Sequence, residues 1–106
     1  MKESMNLGGS VVSKNILEGK GRLKWCVKED GITEIDNGWR FFSEIDTEEY
    51  LSDMNNMVVC DWGTVIEIEP AVIPIFDLPI GTELTLEVEN SKRVFVDSKT
   101  GKAMEF

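Results

Sequence analysis

The chain contains no histidine, only two cysteines and three prolines among its 106 residues. Without histidine, the side chain best suited to proton transfer near neutral pH is missing, and Ser-His-Asp chemistry is excluded with it. The two cysteines, Cys26 and Cys60, are too few for a disulfide scaffold, and no imidazole is present to draw a thiolate from either. Both lie in apolar strand-like patterns and read as small hydrophobes, with Cys26 alternating away from Trp25 toward partial exposure. Long apolar runs are missing too. No window approaches the about 18 residues that span a bilayer. The start Met1-Lys2-Glu3-Ser4-Met5-Asn6 lacks a signal-peptide-length apolar segment behind it. A cytoplasmic location, reduced cysteines and no membrane association are expected.

Positive charge is scarce where it would matter. Between Glu29 and Glu89 stand sixteen carboxylates and one cation, Arg40. The formal charge is +4 over residues 1–28, −15 over 29–89 and +2 over 90–106, which makes −9 for the chain. Nucleic acids and anionic membranes need the opposite sign, so neither is an expected partner. A cationic protein would instead be attracted and its association accelerated.

What is present is an ordinary globular composition, 42% hydrophobic and 29% charged, of a size that makes one small domain. Residues 1–9 read as a flexible lead-in ending in Gly8-Gly9, and 10–106 as a single domain without linker or repeat. Val11 and Val12 suggest a short strand stopped by Ser13, Lys14 and Asn15. After Gly19-Lys20-Gly21, the alternation of Leu23, Trp25 and Val27 with Lys24, Cys26 and Lys28 has the period of a half-buried strand. Asp30-Gly31 and Asp36-Asn37-Gly38 are turn signals, and Trp39-Arg40-Phe41-Phe42-Ser43 is strand-like by its aromatic content.

Asp46-Thr47-Glu48-Glu49 is expected to open a helix, with Asp46 as cap and Tyr50, Leu51 and Met54 facing inward. Val58–Cys60 and residues 64–68 look β-like, joined by a corner at Asp61-Trp62-Gly63. Pro70 suits the first position of a short helix reaching Phe76, which Pro74 keeps brief. Leu84, Leu86 and Val88 alternate with polar residues. Asn90-Ser91 then closes a hairpin that turns Val94 and Val96 inward and Arg93 and Asp97 outward. The sum is an α+β fold, a mostly antiparallel curved sheet of five to seven short strands with one or two short helices.

Two regions are candidates for binding. In the first, Arg40 and Phe42 project from the sheet and grip a partner, as arginine and aromatic residues do at interface hot spots. The alternative is that Trp39 and Phe41 fill the core while Arg40 pairs with a nearby carboxylate. The second is the acidic group Glu44, Asp46, Glu48, Glu49 and Asp53, either a docking surface for a basic protein or a solvated helix start. It lacks the ligand alternation and glycine of a calcium loop. A metal-dependent or small-molecule site built on carboxylates, with Asp61 and Glu67 added, is a further reading, and a cytoplasmic structural or regulatory accessory domain is another. Lys99-Thr100-Gly101 and Gly19-Lys20-Gly21 each match only a fragment of a catalytic or phosphate-binding motif.

The stretch Val11-Val12-Ser13-Lys14-Asn15-Ile16-Leu17-Glu18-Gly19-Lys20-Gly21, followed by Leu23-Lys24-Trp25, resembles the opening of a bacterial immunity-protein-33-like domain family. Asp36-Asn37-Gly38-Trp39-Arg40-Phe41-Phe42-Ser43, Glu49-Tyr50-Leu51, Pro70 to Pro74 and Pro79-Ile80-Gly81 continue the resemblance over roughly residues 10–82. It implies a protein without catalytic activity or cofactor that neutralises a cognate toxin by binding it. The contact residues suggested for a basic toxin are Arg40, Phe42, Asp46, Glu48, Glu49, Tyr50 and Asp53.

Self-repulsion among the exposed carboxylates follows from the charge of −9. The melting temperature is therefore expected to rise modestly between low and moderate sodium chloride, as screening weakens that repulsion. A differential-scanning series that showed a fall would contradict it.

Overall fold

A computed structural model describes residues 7–106. Six strands form one sheet: β1 (Gly9–Ser13), β2 (Leu23–Lys28), β3 (Asp36–Ser43), β4 (Met57–Asp61), β5 (Glu83–Glu89) and β6 (Lys92–Asp97). Three short helices accompany them, α1 (Lys14–Leu17), α2 (Glu48–Leu51) and α3 (Trp62–Ile68), with 3-10 turns at Met54–Asn56 and Pro70–Ile75. The spatial order is β4-β1-β3-β2-β5-β6, and every neighbouring pair is antiparallel except β1 with β3. The fold is α+β, as the sequence suggests. Residues 1–6 of the expected lead-in lie outside the described residues, and Gly9 already belongs to β1.

The helices cover one face of the sheet, and the sequence of β3 shows why. Trp39 and Phe41 are fully buried on that face, their rings stacked 6.0 Å apart. Phe41 lies 6.0 Å from Trp62 of α3, and Trp62 meets Phe76 edge-on at 4.8 Å. Val65, Val72 and Ile75 fill the space between, against Val12, Cys26, Leu84, Leu86 and Phe95 of the strands. Lys28 closes the end of this layer. Its ammonium donates to the carbonyls of Phe76 and Leu78 at 2.9 and 2.8 Å and sits over the Trp39 and Phe76 rings.

Local patterns are overridden at four places. A bulge between Leu23 and Trp25 resets the alternation of β2, so Cys26 is buried in the core while Trp25 and Val27 turn to the other face. The expectation that Trp25 packs inward and Cys26 outward is thereby reversed. Residues 64–68 are helical rather than extended. Trp62 and Val65 are three apart, so only a helix turns both onto the sheet, and their burial outweighs the small propensity cost of Thr64, Val65 and Ile66. In β6 it is Phe95 that faces the core. Val94 and Val96 take the opposite face, contrary to the expected inward turn, and Arg93 reaches Glu69 on the helical side.

The fourth concerns α2. Thr47, not Asp46, caps it, its hydroxyl accepting from the Tyr50 N–H at 3.1 Å. The helix ends at Leu51, and Met54 is exposed instead of facing inward. Asp46 is unavailable as a cap because its carboxylate already accepts from the Ser43 N–H (2.7 Å) and hydroxyl (2.6 Å), the Ser13 hydroxyl (3.0 Å) and the Asn15 amide (2.8 Å). Ser13 in turn caps α1. One carboxylate thus ties the end of β1 and the start of α1 to the end of β3.

Burial alone would raise the Asp46 pKa, but the donors from Ser43, Asn15 and Ser13 together outweigh it and hold the group below its ordinary value. A lowered folded-state pKa gives stability that is complete above the unfolded value, near pH 4, and is lost as pH falls further. Asp46→Asn is expected to cost about 2–3 kcal/mol near neutrality, because an amide nitrogen would meet donors. The same change should flatten part of the acid limb of a stability-against-pH curve. The β5–β6 turn offers the opposite case. Asn90 and Ser91 have φ of 49° and 69°, the left-handed pair that a two-residue hairpin demands. Ser91→Gly should stabilise by about 0.5–1 kcal/mol, read as a rise in Tm, since glycine holds that conformation without strain.

Candidate functional site

Arg40 is buried although it points to the face that the helices leave uncovered. Its two terminal nitrogens donate to both oxygens of Asp36 at 2.8 Å each, and its Nε donates to Glu29 at 3.1 Å. Asp36 also accepts from the backbone N–H groups of Ile32 and Gly38, at 3.0 and 2.9 Å. The Arg40 guanidinium, with those N–H donors and against the effect of burial, holds the Asp36 carboxyl well below the usual carboxylate range. Gly38 is required here. Its φ is +89°, and a Cβ would collide with the Glu29 carbonyl. Arg40 therefore fastens the 29–36 loop to β3, with no side-chain nitrogen directed at an outside ligand.

Around this clamp the uncovered face is apolar. Val11 and Val27 flank Arg40 in register, and Val59 continues the row onto β4. Phe42 pairs with Trp25 in the next row, which runs on through Thr85 to Val96. Phe42 is half-buried there, while Trp25 and Val59 are 39% and 68% exposed. Sequence alternation hid Trp25 from view because the bulge precedes it. Val59 was legible only as part of a short uncharged run.

The acidic residues divide. Asp46 is consumed by the four-donor junction, and Asp53 caps the Met54–Asn56 turn through the Asn55 N–H at 2.9 Å. Glu48 and Glu49 stand exposed on the first turn of α2 with no ion pair among the described residues, and Tyr50 beside them is half-exposed. Elsewhere the terminal cations reach into the acidic middle: Lys24 pairs with Glu87 at 3.1 Å, Arg93 with Glu69 at 2.8 Å and Lys99 with Glu83 at 3.7 Å. The candidate residues do not converge on one spot. Arg40 and Phe42 belong to the sheet face, and Glu48, Glu49 and Tyr50 to the helix that follows it.

Asp61 holds the Thr64 hydroxyl at 2.5 Å, and Glu67 lies farther along α3. Among the described residues no three histidine, cysteine, aspartate or glutamate side chains gather as metal ligands would. Burial pushes the Cys26 thiol strongly up, and burial with the Asp61 charge pushes Cys60 up, so neither is primed as a thiolate. An open cleft of about 410 Å³ lies between the Gly19–Gly21 turn and the β5–β6 hairpin. Its central charge is already paired: Glu69 accepts from Arg93 and from the Ala71 N–H.

Comparison with curated proteins and with solved structures gave no match. Residues 10–97 match the family described as Immunity protein Imm33 domain, a span that includes both strands of the C-terminal hairpin. That match takes in nearly the whole sheet, and the chain belongs to the Imm33 immunity protein domain family.

Proposed function

We propose that this chain is a non-catalytic cytoplasmic binding protein that neutralises a cognate bacterial toxin by occupying it directly, and that the toxin surface it meets is basic. Membership of the Imm33 family carries the first half of this reading. The second half rests on Glu48 and Glu49, exposed carboxylates without ion pairs among the described residues, in a stretch, residues 44–69, that contains no lysine or arginine. Such a patch steers a cationic partner and sharpens specificity more than it adds raw affinity. Tyr50 beside it, and Phe42 and Trp25 on the sheet, supply the aromatic area on which binding energy usually concentrates.

The test uses the purified product of the neighbouring open reading frame, measured by calorimetry across a salt series. Reversing both charges, Glu48→Lys with Glu49→Lys, is expected to weaken binding roughly tenfold or more and to reduce its salt dependence. Affinity unchanged by salt and by the double reversal would remove the electrostatic part of the reading. Absence of any binding would remove the whole of it.

A further inference from the structure

Among the described residues β4 is the outermost strand on its side of the sheet and pairs only with β1. The Trp62 N–H donates to the Gly8 carbonyl at 3.1 Å, one step beyond the Gly9–Asp61 pair. Hydrogen-bonded and non-bonded pairs alternate along an antiparallel ladder. Val58 and Cys60 therefore turn their backbone groups toward Val12 and Ser10, while Met57, Val59 and Asp61 turn theirs away from the sheet. The Met57 N–H confirms the phase, since it closes the preceding 3-10 turn on Met54. The outer edge presents the N–H and C=O of Val59 and the N–H of Asp61, two residues apart as a pairing strand requires, while the Asp61 carbonyl accepts the first bond of α3.

Proteins usually guard such an edge with lysine, proline, a bulge or a covering segment. Among the described residues β4 has none of the four: its register with β1 is continuous, its sequence is Met57-Val58-Val59-Cys60-Asp61, and Val59 is 68% exposed. The opposite edge differs. β6 carries Lys92, Arg93 and Asp97, and the C-terminal segment lies along it through a Val96–Ala103 bridge and the Met104 N–H to Phe95 carbonyl bond at 2.8 Å. One edge is closed and the other open.

The charges around β4 select the occupant. Asp61 stands at one end of the strand, and Asp53, with Glu48 and Glu49 just before it, precedes the other. A second copy paired antiparallel about Val59 would bring Asp61 toward the partner's acidic approach to β4, with like charges at both ends. A cationic strand would meet opposite charges there. We propose that the toxin adds a strand to the β4 edge: an extended segment with an apolar residue beside Val59 and a lysine or arginine toward each end. Main-chain bonds at Val59 and Asp61 supply the affinity, and the flanking carboxylates supply the selection. This rests on the toxin-binding reading and names the surface it uses.

The experiment titrates the labelled chain with the purified product of the neighbouring open reading frame and follows amide hydrogen exchange at Val59 and Asp61. Binding is expected to slow exchange at both. Val59→Pro removes an outward N–H that the sheet does not use, and Val59→Lys guards the edge; each should weaken the Kd roughly tenfold or more. Val94→Lys, on the opposite edge, should leave the Kd unchanged. Melting curves show whether each variant is folded, and if Val59→Pro is not, Val59→Lys and the wild-type exchange decide. Full affinity in both Val59 variants with unprotected amides overturns strand addition while toxin binding stands. No binding by the wild type overturns the toxin reading itself. A dimer in sedimentation that Val59→Lys abolishes would give the edge to a second copy and overturn the cationic occupant.

Discussion

The contact on which the rest of the structure depends is the aromatic chain from Trp39 through Phe41 and Trp62 to Phe76. Losing one such buried ring to alanine costs about 3–5 kcal/mol, against a total stability of about 5–15 kcal/mol for a domain. The largely exposed ion pairs of Lys24 and Lys99 are worth about 0–1 kcal/mol each. Packing therefore decides the architecture, and charge decorates it. Because both rings of β3 point to one side, the helical layer settles there. Strand alternation then sends Arg40 and Phe42 to the other side, where Glu29 and Asp36 close over Arg40.

Arg40 follows from that choice. A guanidinium buried between Val11 and Val27 requires partners, and Asp36 and Glu29 provide them in a bidentate and a single contact. What reads in sequence either as a hot-spot arginine gripping a partner or as the mate of a nearby carboxylate is a loop fastener. Asp46 plays the same part at the other end of β3. Three of the sixteen central carboxylates, Glu29, Asp36 and Asp46, are thus structural before any question of a partner arises, and three more are matched by cations from the chain ends. The field that a partner meets is weaker than the −15 of residues 29–89 alone suggests, and Glu48 and Glu49 on α2 are among the carboxylates that no cation of the described residues pairs.

Much of this was legible in sequence. The α+β class, the six short strands, the inward Trp39 and Phe41, the proline-initiated turn at Pro70 and the Asn90-Ser91 hairpin all follow from residue type and period. The failures have a common origin: tertiary contacts that period cannot see. The bulge after Leu23 changes the phase of β2 by one residue, which exchanges Trp25 for Cys26 in the core. Trp62 and Val65 form a helix because the sheet needs both rather than because their neighbours favour one. Asp46, three residues before Glu49, fits a capping box on paper, yet donors from Ser13 and Asn15, distant in sequence, claim it first. For the candidate site, the exposure of Glu48 and Glu49 was readable, whereas the burial of Arg40 and the open edge of β4 were not, since strand order is absent from sequence.

The two edges of the sheet then pose a question that packing alone does not answer. The same chain covers β6 with its own C-terminal segment and places charges along it, while leaving β4 uncharged in its interior and open to solvent. Stability gives no reason for the difference, because either edge would gain from a guard and a single lysine at Val59 would supply one. An unguarded edge carries an aggregation hazard, and the carboxylates at both of its ends limit that hazard by repelling identical copies. They leave the edge usable by a strand of opposite charge. Self-repulsion and partner selection are here one arrangement, so an uncharged β4 and an acidic surround make physical sense together, and neither does alone.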